Sequence, residues 1–324
     1  MIRRCQAWLP WLRTLAAVAL LAGLGWRFGT GAVVAGLRAI DAASVLAALG
    51  IGLLTTVASA ARWCVVARGL GLPLPMRGAV SDYYRATLLN AVLPAGVLGD
   101  AHRAWDHGRR SGDVERGVRA VVLERCAGQL VLAAAGAVAL LGAPALVAAL
   151  LPGLGGALVL LAVLAGAVAV LAARFRTLRP VLARSWADAR TAVLTRSAVP
   201  RLVLLSAAAL AGHLALFLVA AHAAGSPLPL PRLLPLGVLA LLVMALPVNV
   251  GGWGPREAFL AMAFGAAGTA AAHGLTVAVV YGTLALVAAL PGAVPLLRGR
   301  ALQRREVGAE RRDQRGEQLP ALAR

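Results

Sequence analysis

The chain has 324 residues, of which 60% are hydrophobic and only 14% are charged, and its formal net charge is +19. That many charged residues cannot cover the surface of a water-soluble domain of this length, so the composition excludes an ordinary soluble enzyme. Lysine is absent and all the Lys/Arg charge is arginine, which falls between apolar stretches. The basic balance therefore indicates membrane loops that face anionic lipid head groups, and no nucleic-acid partner is expected.

Long uncharged stretches recur along the chain, and each has about the 20 residues that a helix needs to cross a bilayer core. Six predicted spans cover residues 10–28, 45–66, 129–151, 154–173, 202–224 and 275–297. Their Ala, Leu and Val blocks lack the alternation typical of strands, and lipid requires backbone hydrogen bonds to be satisfied within a helix. The sequence therefore predicts an all-α polytopic membrane protein, with the first apolar run as an uncleaved anchor.

The positions of the arginines predict the orientation, because basic residues near span ends are retained in the cytoplasm. Most arginines fall in residues 3–13, 62–85, 103–125, 174–201 and 298–324. Only Arg27, Arg38 and Arg232 fall in the opposite loops. We therefore expect a multi-pass protein of the cytoplasmic membrane with both termini in the cytoplasm. Residues 1–297 should form the membrane domain, and 298–324 a charged cytoplasmic tail that is disordered or loosely helical.

Two further apolar segments are interrupted by proline and glycine. Residues 84–101 lie between basic blocks, which predicts a re-entrant or broken helix that enters and leaves on the cytoplasmic side. Residues 233–272 are interrupted at 247–257 and form either two short spans or one hairpin. The total is six firm transmembrane helices and up to eight spans. This arrangement is compatible with an inverted-topology repeat, which stays open because the two breaks share little sequence.

The first group of candidate substrate-binding residues lies at the first break. It comprises Asn90, Pro94, Gly96, Gly99, Asp100 and Arg103. Irregular backbone at membrane depth should line a cavity, where free N–H groups and a guanidinium could hold an anion. Asp100 is expected to cap a helix beginning at Ala101, with Arg103 in its first turn. The alternative is a capped turn whose arginine extends to the membrane interface.

The second group lies at the other break and comprises Pro247, Asn249, Gly251, Gly252, Gly254, Arg256 and Glu257. Charges within hydrocarbon are costly, so Arg256 and Glu257 are predicted to serve a function, the alternative being a surface turn. Glu124 and Arg125, at the cytoplasmic entry of the next span, are a third candidate pair, or simple interfacial anchors. We expect Asp100, Arg103, Arg256 and Glu257 to approach one another in one cavity.

These motifs, in this order and spacing, resemble the transmembrane region of lysylphosphatidylglycerol synthases and the wider flippase-like family of stand-alone relatives. The resemblance spans about residues 10–297 and implies a part that moves an amphiphilic lipid between leaflets. That lipid could be a phospholipid, an aminoacylated lipid or a polyprenyl-linked precursor. Full-length synthases make the lipid in a separate soluble domain. Residues 298–324 are too few for one, so we expect the flippase-like part alone.

Two other function classes compete with a transporter. A non-transporting scaffold would partner a lipid- or glycan-modifying enzyme through its arginine-rich loops. An intramembrane enzyme is disfavoured, because Ser206 and His213 share a helix face but lie about 10 Å apart along its axis. His222 is predicted to point to the opposite face from His213. The expected protein is therefore no enzyme and uses no cofactor or metal.

Overall fold

The computed structural model describes residues 31–93, 96–142, 144, 148, 178–245 and 254–297. The predicted spans at 10–28 and 154–173, the tail at 298–324, and the candidates Pro94, Pro247, Asn249, Gly251 and Gly252 lie outside them. The described part contains ten α-helices and no strand: α1 (Gly31–Arg38), α2 (Ala42–Gly69), α3 (Met76–Val92), α4 (Leu98–Arg110), α5 (Val114–Gly142), α6 (Leu178–Ala192), α7 (Ala198–Ala223), α8 (Leu230–Met244), α9 (Pro255–Ala266) and α10 (Ala271–Ala289).

Four of these helices are long and apolar enough to cross a membrane: α2, α5, α7, and α10 with its continuation to Leu297. A shorter apolar helix, α8, packs among them. Large apolar side chains on the outside of the bundle face outward, including Leu54 on α2, Leu141 on α5 and Leu204 on α7. An apolar exterior of this kind suits lipid, so the prediction of a helical membrane protein is confirmed.

The first predicted break is present, but its helices extend further than the sequence indicated. Helix α3 ends at Val92 and α4 begins at Leu98, with Val97 as its N-cap. The prediction that Asp100 caps a helix starting at Ala101 is therefore wrong, because Asp100 lies within the first turn of α4. Gly99 allows the two helices to approach closely, since a Cβ there would lie 2.1 Å from the carbonyl oxygen of Ala86.

The second break ends at Gly254, where φ is +107°, a conformation that favours glycine. Pro255 then starts α9, where its missing N–H costs nothing. The backbone N–H of Gly254 donates to Glu257 Oε2 at 2.6 Å, so this carboxylate caps its own helix. Arg256 and Glu257 thus stand at the start of the following helix, as predicted.

Two predictions need correction, one about where α5 begins and one about the stretch 174–201. Helix α5 begins at Val114, well before the apolar stretch at 129–151, because Arg116–Arg125 continue the same helix. Glu124 consequently lies ten residues, or about 15 Å, inside α5 and not at its entry. Similarly, the arginine-rich stretch 174–201 is not a plain loop, since α6 occupies residues 178–192.

The helices pack around two buried cores. One joins α7, α8, α9 and α10, with Phe217, Phe264 and Tyr281 among its members. The other joins α2, α3, α4 and the first half of α5, with Trp63 and Tyr83 among its members. Helix α7 lies along α2 and contributes to both cores. Residues of both cores line the cavity described below.

Candidate functional site

Glu124 on α5 is the centre of a buried ionic network. Its side chain is fully buried, and its Oε1 accepts from Arg62 Nε at 2.8 Å and from Arg62 Nη2 at 2.5 Å. Its Oε2 accepts from Arg103 Nη2 at 3.0 Å, and the Tyr83 hydroxyl donates to Oε1 at 3.3 Å. A carboxylate held by two guanidinium groups is not an interfacial anchor, so the anchoring alternative is wrong for Glu124.

Arg103 is a buried member of this network and does not extend to the membrane interface. Its guanidinium carbon lies 4.4 Å from the centre of the Trp63 ring and 4.3 Å from that of the Tyr83 ring. A planar cation suits the space between two aromatic faces. Its remaining ion partner is Asp100, whose Oδ1 accepts from Arg103 Nη2 at 2.9 Å. The alternative in which Arg103 reaches the membrane surface is therefore wrong.

Asp100 connects this network to the first helix break. Its Oδ2 accepts from Asn90 Nδ2 at 2.9 Å and also binds Arg125 Nη2. Asn90 Oδ1 in turn accepts the backbone N–H of Gly99 at 2.8 Å, so one amide side chain joins the end of α3 to the start of α4. The break is thus held by polar bonds to the same carboxylate that pairs with Arg103 and Arg125.

Arg256 and Glu257 form the second ionic group. Arg256 Nε lies 3.0 Å from Glu257 Oε1, and Nη2 binds the same oxygen. Both side chains are buried, with side-chain exposures of 2% and 0%, and the guanidinium carbon lies 5.2 Å from the centre of the Tyr281 ring. The acidic partners thus differ between the two breaks: Asp100 pairs with Arg103 and Arg125, whereas Arg256 pairs with its neighbour Glu257.

A cavity of about 940 Å³ lies between the two ionic groups. Asn90, Gly96 and Asp100 line it from the first break, and Arg256 lines it from the second. Its charged lining residues are Arg62, Asp100, Arg125 and Arg256. Both breaks therefore contribute to one cavity. Of the four charged residues expected to meet there, however, Asp100 and Arg256 line it, whereas Arg103 and Glu257 do not, and neither does Glu124.

The cavity opens along one face of α5. Val118, Val122, Cys126 and Gln129 recur at helical spacing, line the cavity and are exposed. Trp105 on α4 is 56% exposed and also lines the cavity. Arg125 lies on the same stretch of α5 and also lines the cavity, so a cation neighbours these exposed residues. An amphiphile could place its head group at Arg125 and its chains along the exposed apolar residues.

Several residues of this site were not predicted. Arg62 belongs to the basic block at residues 62–85, which the sequence predicts to be cytoplasmic, but it is buried and donates through Nη1 to Ser206 Oγ at 3.1 Å. The available signal was an arginine within an otherwise apolar run, which is costly unless it has partners. Tyr83, Gln129 and Tyr281 also line the cavity. They carried no sequence signal, because such residues are common in membrane helices.

Ser206 and His213 both line the cavity, as expected from their shared helix face. The hydrogen bond of the Ser206 hydroxyl joins it to Arg62, which positions the serine as part of the polar wall. Among the described residues, no group of three or more His, Cys, Asp or Glu side chains is placed to hold a metal ion.

A second charged cluster lies beside the network at the other end of α4. Arg85 Nη2 lies 2.7 Å from Asp106 Oδ2, and Arg110 binds Asp82. Burial alone would raise the pKa of Asp106, but the hydrogen bond from Arg85 and the charge of Arg110 hold that pKa below its usual value. These pairs fix α4 against α3 outside the four candidate spans.

Comparison with known proteins agrees with this architecture. The family model described as "Lysylphosphatidylglycerol synthase TM region" matches residues 14–292. The match covers most of the chain, so the chain belongs to this family, and the resemblance drawn from the sequence motifs is confirmed. Neither a curated protein nor a solved structure matches the chain. The protein is therefore a membrane protein of a family related to lipid handling.

Proposed function

We propose that this member of the lysylphosphatidylglycerol synthase TM region family moves an amphiphilic lipid between the leaflets of the cytoplasmic membrane. The observation that carries the proposal is the cavity of about 940 Å³ with Arg62, Arg125 and Arg256 on its wall. Arginines are costly inside a membrane domain and are retained there when they serve a substrate path. Their planar, multiply donating guanidinium groups match phosphate oxygens.

The side opening supports a lipid rather than a small soluble anion. A closed polar pocket would suffice for a free ion, whereas exposed Val118, Val122 and Trp105 extend the cavity to the outside of the bundle. Acyl chains could stay in the membrane along these residues while the head group enters. The protein then needs no chemistry on the lipid, so we propose a transporter and not an enzyme, without a cofactor.

The orientation belongs to the same proposal. We infer from the arginine distribution that both termini and the exposed basic residues Arg184, Arg190, Arg196 and Arg201 lie in the cytoplasm. Here they would contact anionic head groups of the inner leaflet. A non-transporting partner of a lipid- or glycan-modifying enzyme remains the competing function, since it could use the same basic surface.

Reconstituted vesicles test the proposal directly. Fluorescent phospholipids and polyprenyl-linked lipids would be placed in both leaflets, and an impermeant reductant would bleach the outer leaflet. We expect bleaching to extend past the outer-leaflet fraction for at least one lipid with wild-type protein, and not with Arg125→Gln. Bleaching that stops at the outer leaflet for every lipid, in vesicles that contain folded protein, would overturn transport and favour the scaffold.

A further inference from the structure

The ionic network at the first break has one more cation than it has anions. Three guanidinium groups, those of Arg62, Arg103 and Arg125, are joined by two carboxylates, those of Asp100 and Glu124. A surplus positive charge in a low-dielectric interior is costly, so it attracts an anion. One of the three guanidinium groups should therefore bind an anion.

Exposure and position on the cavity wall single out Arg125. Its side chain is 43% exposed, against 8% for Arg62 and 1% for Arg103. Arg62 donates from all three of its nitrogens to Glu124 and Ser206, so it has little left to offer. Arg125 binds Asp100 through Nη2 alone, and its Nε has no hydrogen-bond partner in the described part of the chain. Nε and Nη1 of Arg103 also lack a partner there, but Arg103 does not line the cavity, whereas Arg125 does.

Separating Asp100 from Arg125 should cost less than separating Glu124 from Arg62. Without Arg125, the Asp100 carboxylate would still accept from Arg103 Nη2 at 2.9 Å and from Asn90 Nδ2 at 2.9 Å. It would therefore remain paired and hydrogen-bonded. Separating Glu124 from Arg62 would instead leave two buried charges with fewer partners, which is the expensive outcome.

We propose that Asp100 is the resting counter-ion of Arg125 and that a phosphate-type anion entering the cavity replaces it there. This inference rests on the proposed function, and it adds how the head group is bound and released. Asp100 competes with the anion for Arg125, so it lowers the affinity of the site for the anion and allows the anion to leave. The shared chemistry is a phosphate oxyanion, whose source is either a lipid head group or free phosphate.

The native thiol of Cys126 provides a binding assay. Cys126 is exposed, lines the cavity and follows Arg125, whereas Cys64 is buried. With Cys5→Ser as background, alkylation of Cys126 by a maleimide would be measured in micelles against dioleoylphosphatidylglycerol, inorganic phosphate or uncharged dioleoylglycerol. A bound anion beside Arg125 should slow the alkylation.

Asp100→Asn is the decisive variant, because asparagine keeps the shape and an acceptor oxygen but loses the charge. The half-protecting concentration of dioleoylphosphatidylglycerol should fall by roughly five- to tenfold. Arg125→Gln should abolish protection. Asp113→Asn is the matched control, since Asp113 is 39% exposed, pairs with Arg116 at the start of α5 and does not line the cavity. It should leave protection unchanged. Asp100→Ser repeats the test if the asparagine variant does not fold.

The results separate this inference from the proposed function. If the half-protecting concentration falls in Asp100→Asn for the lipid alone, the anion that replaces Asp100 is a lipid head group. If it also falls for inorganic phosphate, the exchange holds for both sources. If the wild type is protected but neither Asp100 variant lowers the half-protecting concentration, the exchange is overturned, while the proposal of lipid transport is unaffected. Protection that survives in Arg125→Gln also overturns it. Absence of protection in the wild type, together with absence of transport, overturns both.

Discussion

Arg62 on α2 and Glu124 on α5 form a buried ion pair in which Nε and Nη2 both donate to one carboxylate oxygen, at 2.8 and 2.5 Å. The pair connects two candidate spans across the wall of the cavity. Its strength depends on both partners, because removing one leaves the other charged and desolvated. The same guanidinium reaches Ser206 on α7, so the pair also fixes the position of a third helix.

Glu124→Gln should therefore destabilise the protein strongly. It would leave Arg62 and Arg103 without their shared carboxylate, at a cost of about 3–5 kcal/mol in the free energy of unfolding. Chemical denaturation in micelles measures this. Glu115→Gln is the control, on the same helix and 57% exposed in its pair with Arg119. Glu115→Gln should lower the free energy of unfolding by less than about 1 kcal/mol. Equal losses in both variants would show that the buried network does not stabilise the fold.

Gly128→Ala should disturb the site while largely preserving the fold. A Cβ at Gly128 would lie 2.7 Å from Arg62 Nη1, the nitrogen that donates to Ser206. The guanidinium would have to shift, and a shift at the end of a flexible side chain is cheap. We expect transport to fall about three- to tenfold with a change of less than about 1 kcal/mol in unfolding.

The control for this substitution lies on the same helix. A Cβ at Gly142 would meet nothing within 4 Å, so Gly142→Ala should leave transport unchanged. Vesicle bleaching rates compare the two variants. If Gly128→Ala transports like the wild type, the position of the Arg62 guanidinium does not matter for transport.

The sequence predicted much of this architecture because its strongest signals are local. Apolar length indicates a membrane helix, and Pro and Gly indicate a break, so the class, four described spans and the interruption between α3 and α4 were predictable. The limits of α5 were not, because Arg119, Glu124 and Arg125 have high helix propensity but look like loop residues in a hydropathy pattern.

The partners within the site could not be predicted, because they depend on how helices pack. Asp100 and Arg256 are both charged residues at a break, and nothing local indicates that one pairs with Arg125 and the other with Glu257. Arg62 illustrates the same limit. An arginine near the end of a span is consistent with a cytoplasmic anchor, and only the contact between α2 and α5 reveals its burial.

Acid should destabilise the protein through His107. Burial lowers the pKa of His107, and the charge of Arg110 acts in the same direction, while Asp82 and Asp106 partly oppose them. The unfolded chain, with an ordinary pKa of about 6.5, binds the proton more readily. Stability should therefore be fully present above that pH and decline as the pH falls through it towards the folded pKa.

Unfolding midpoints in micelles between pH 7.5 and about 5 measure this effect. His107→Gln should flatten the decline over this range. His102→Gln, an exposed histidine on the same helix, should retain it. A decline that is identical in wild type and His107→Gln would assign the acid sensitivity to other groups.

Reporter fusions test the orientation. Fusions after Arg110 and Arg190 should report the cytoplasm, and fusions near Gly36 and Ser226 should report the outside, because basic residues near span ends are retained inside. Alkaline phosphatase and green fluorescent protein give opposite signals on the two sides. An external signal near Gly112 would contradict the re-entrant arrangement of residues 84–101.

Arg256 should be required for transport and not merely for folding. Arg256→Ala should abolish lipid movement, and Arg256→Lys should restore little of it. Lysine offers a point charge, whereas the arginine uses two nitrogens on Glu257 and places its guanidinium 5.2 Å from the centre of the Tyr281 ring. Bleaching rates in vesicles, normalised to inserted protein, measure the effect.

A double variant separates function from stability at this pair. Arg256→Ala leaves Glu257 buried without that cation, so some loss of stability is expected. Arg256→Gln combined with Glu257→Gln removes both charges, keeps similar volumes and should regain most of that stability. If Arg256 serves the substrate, the stabilised double variant should still fail to move lipid. Recovery of transport in the double variant would mean that the pair only holds α9 in place.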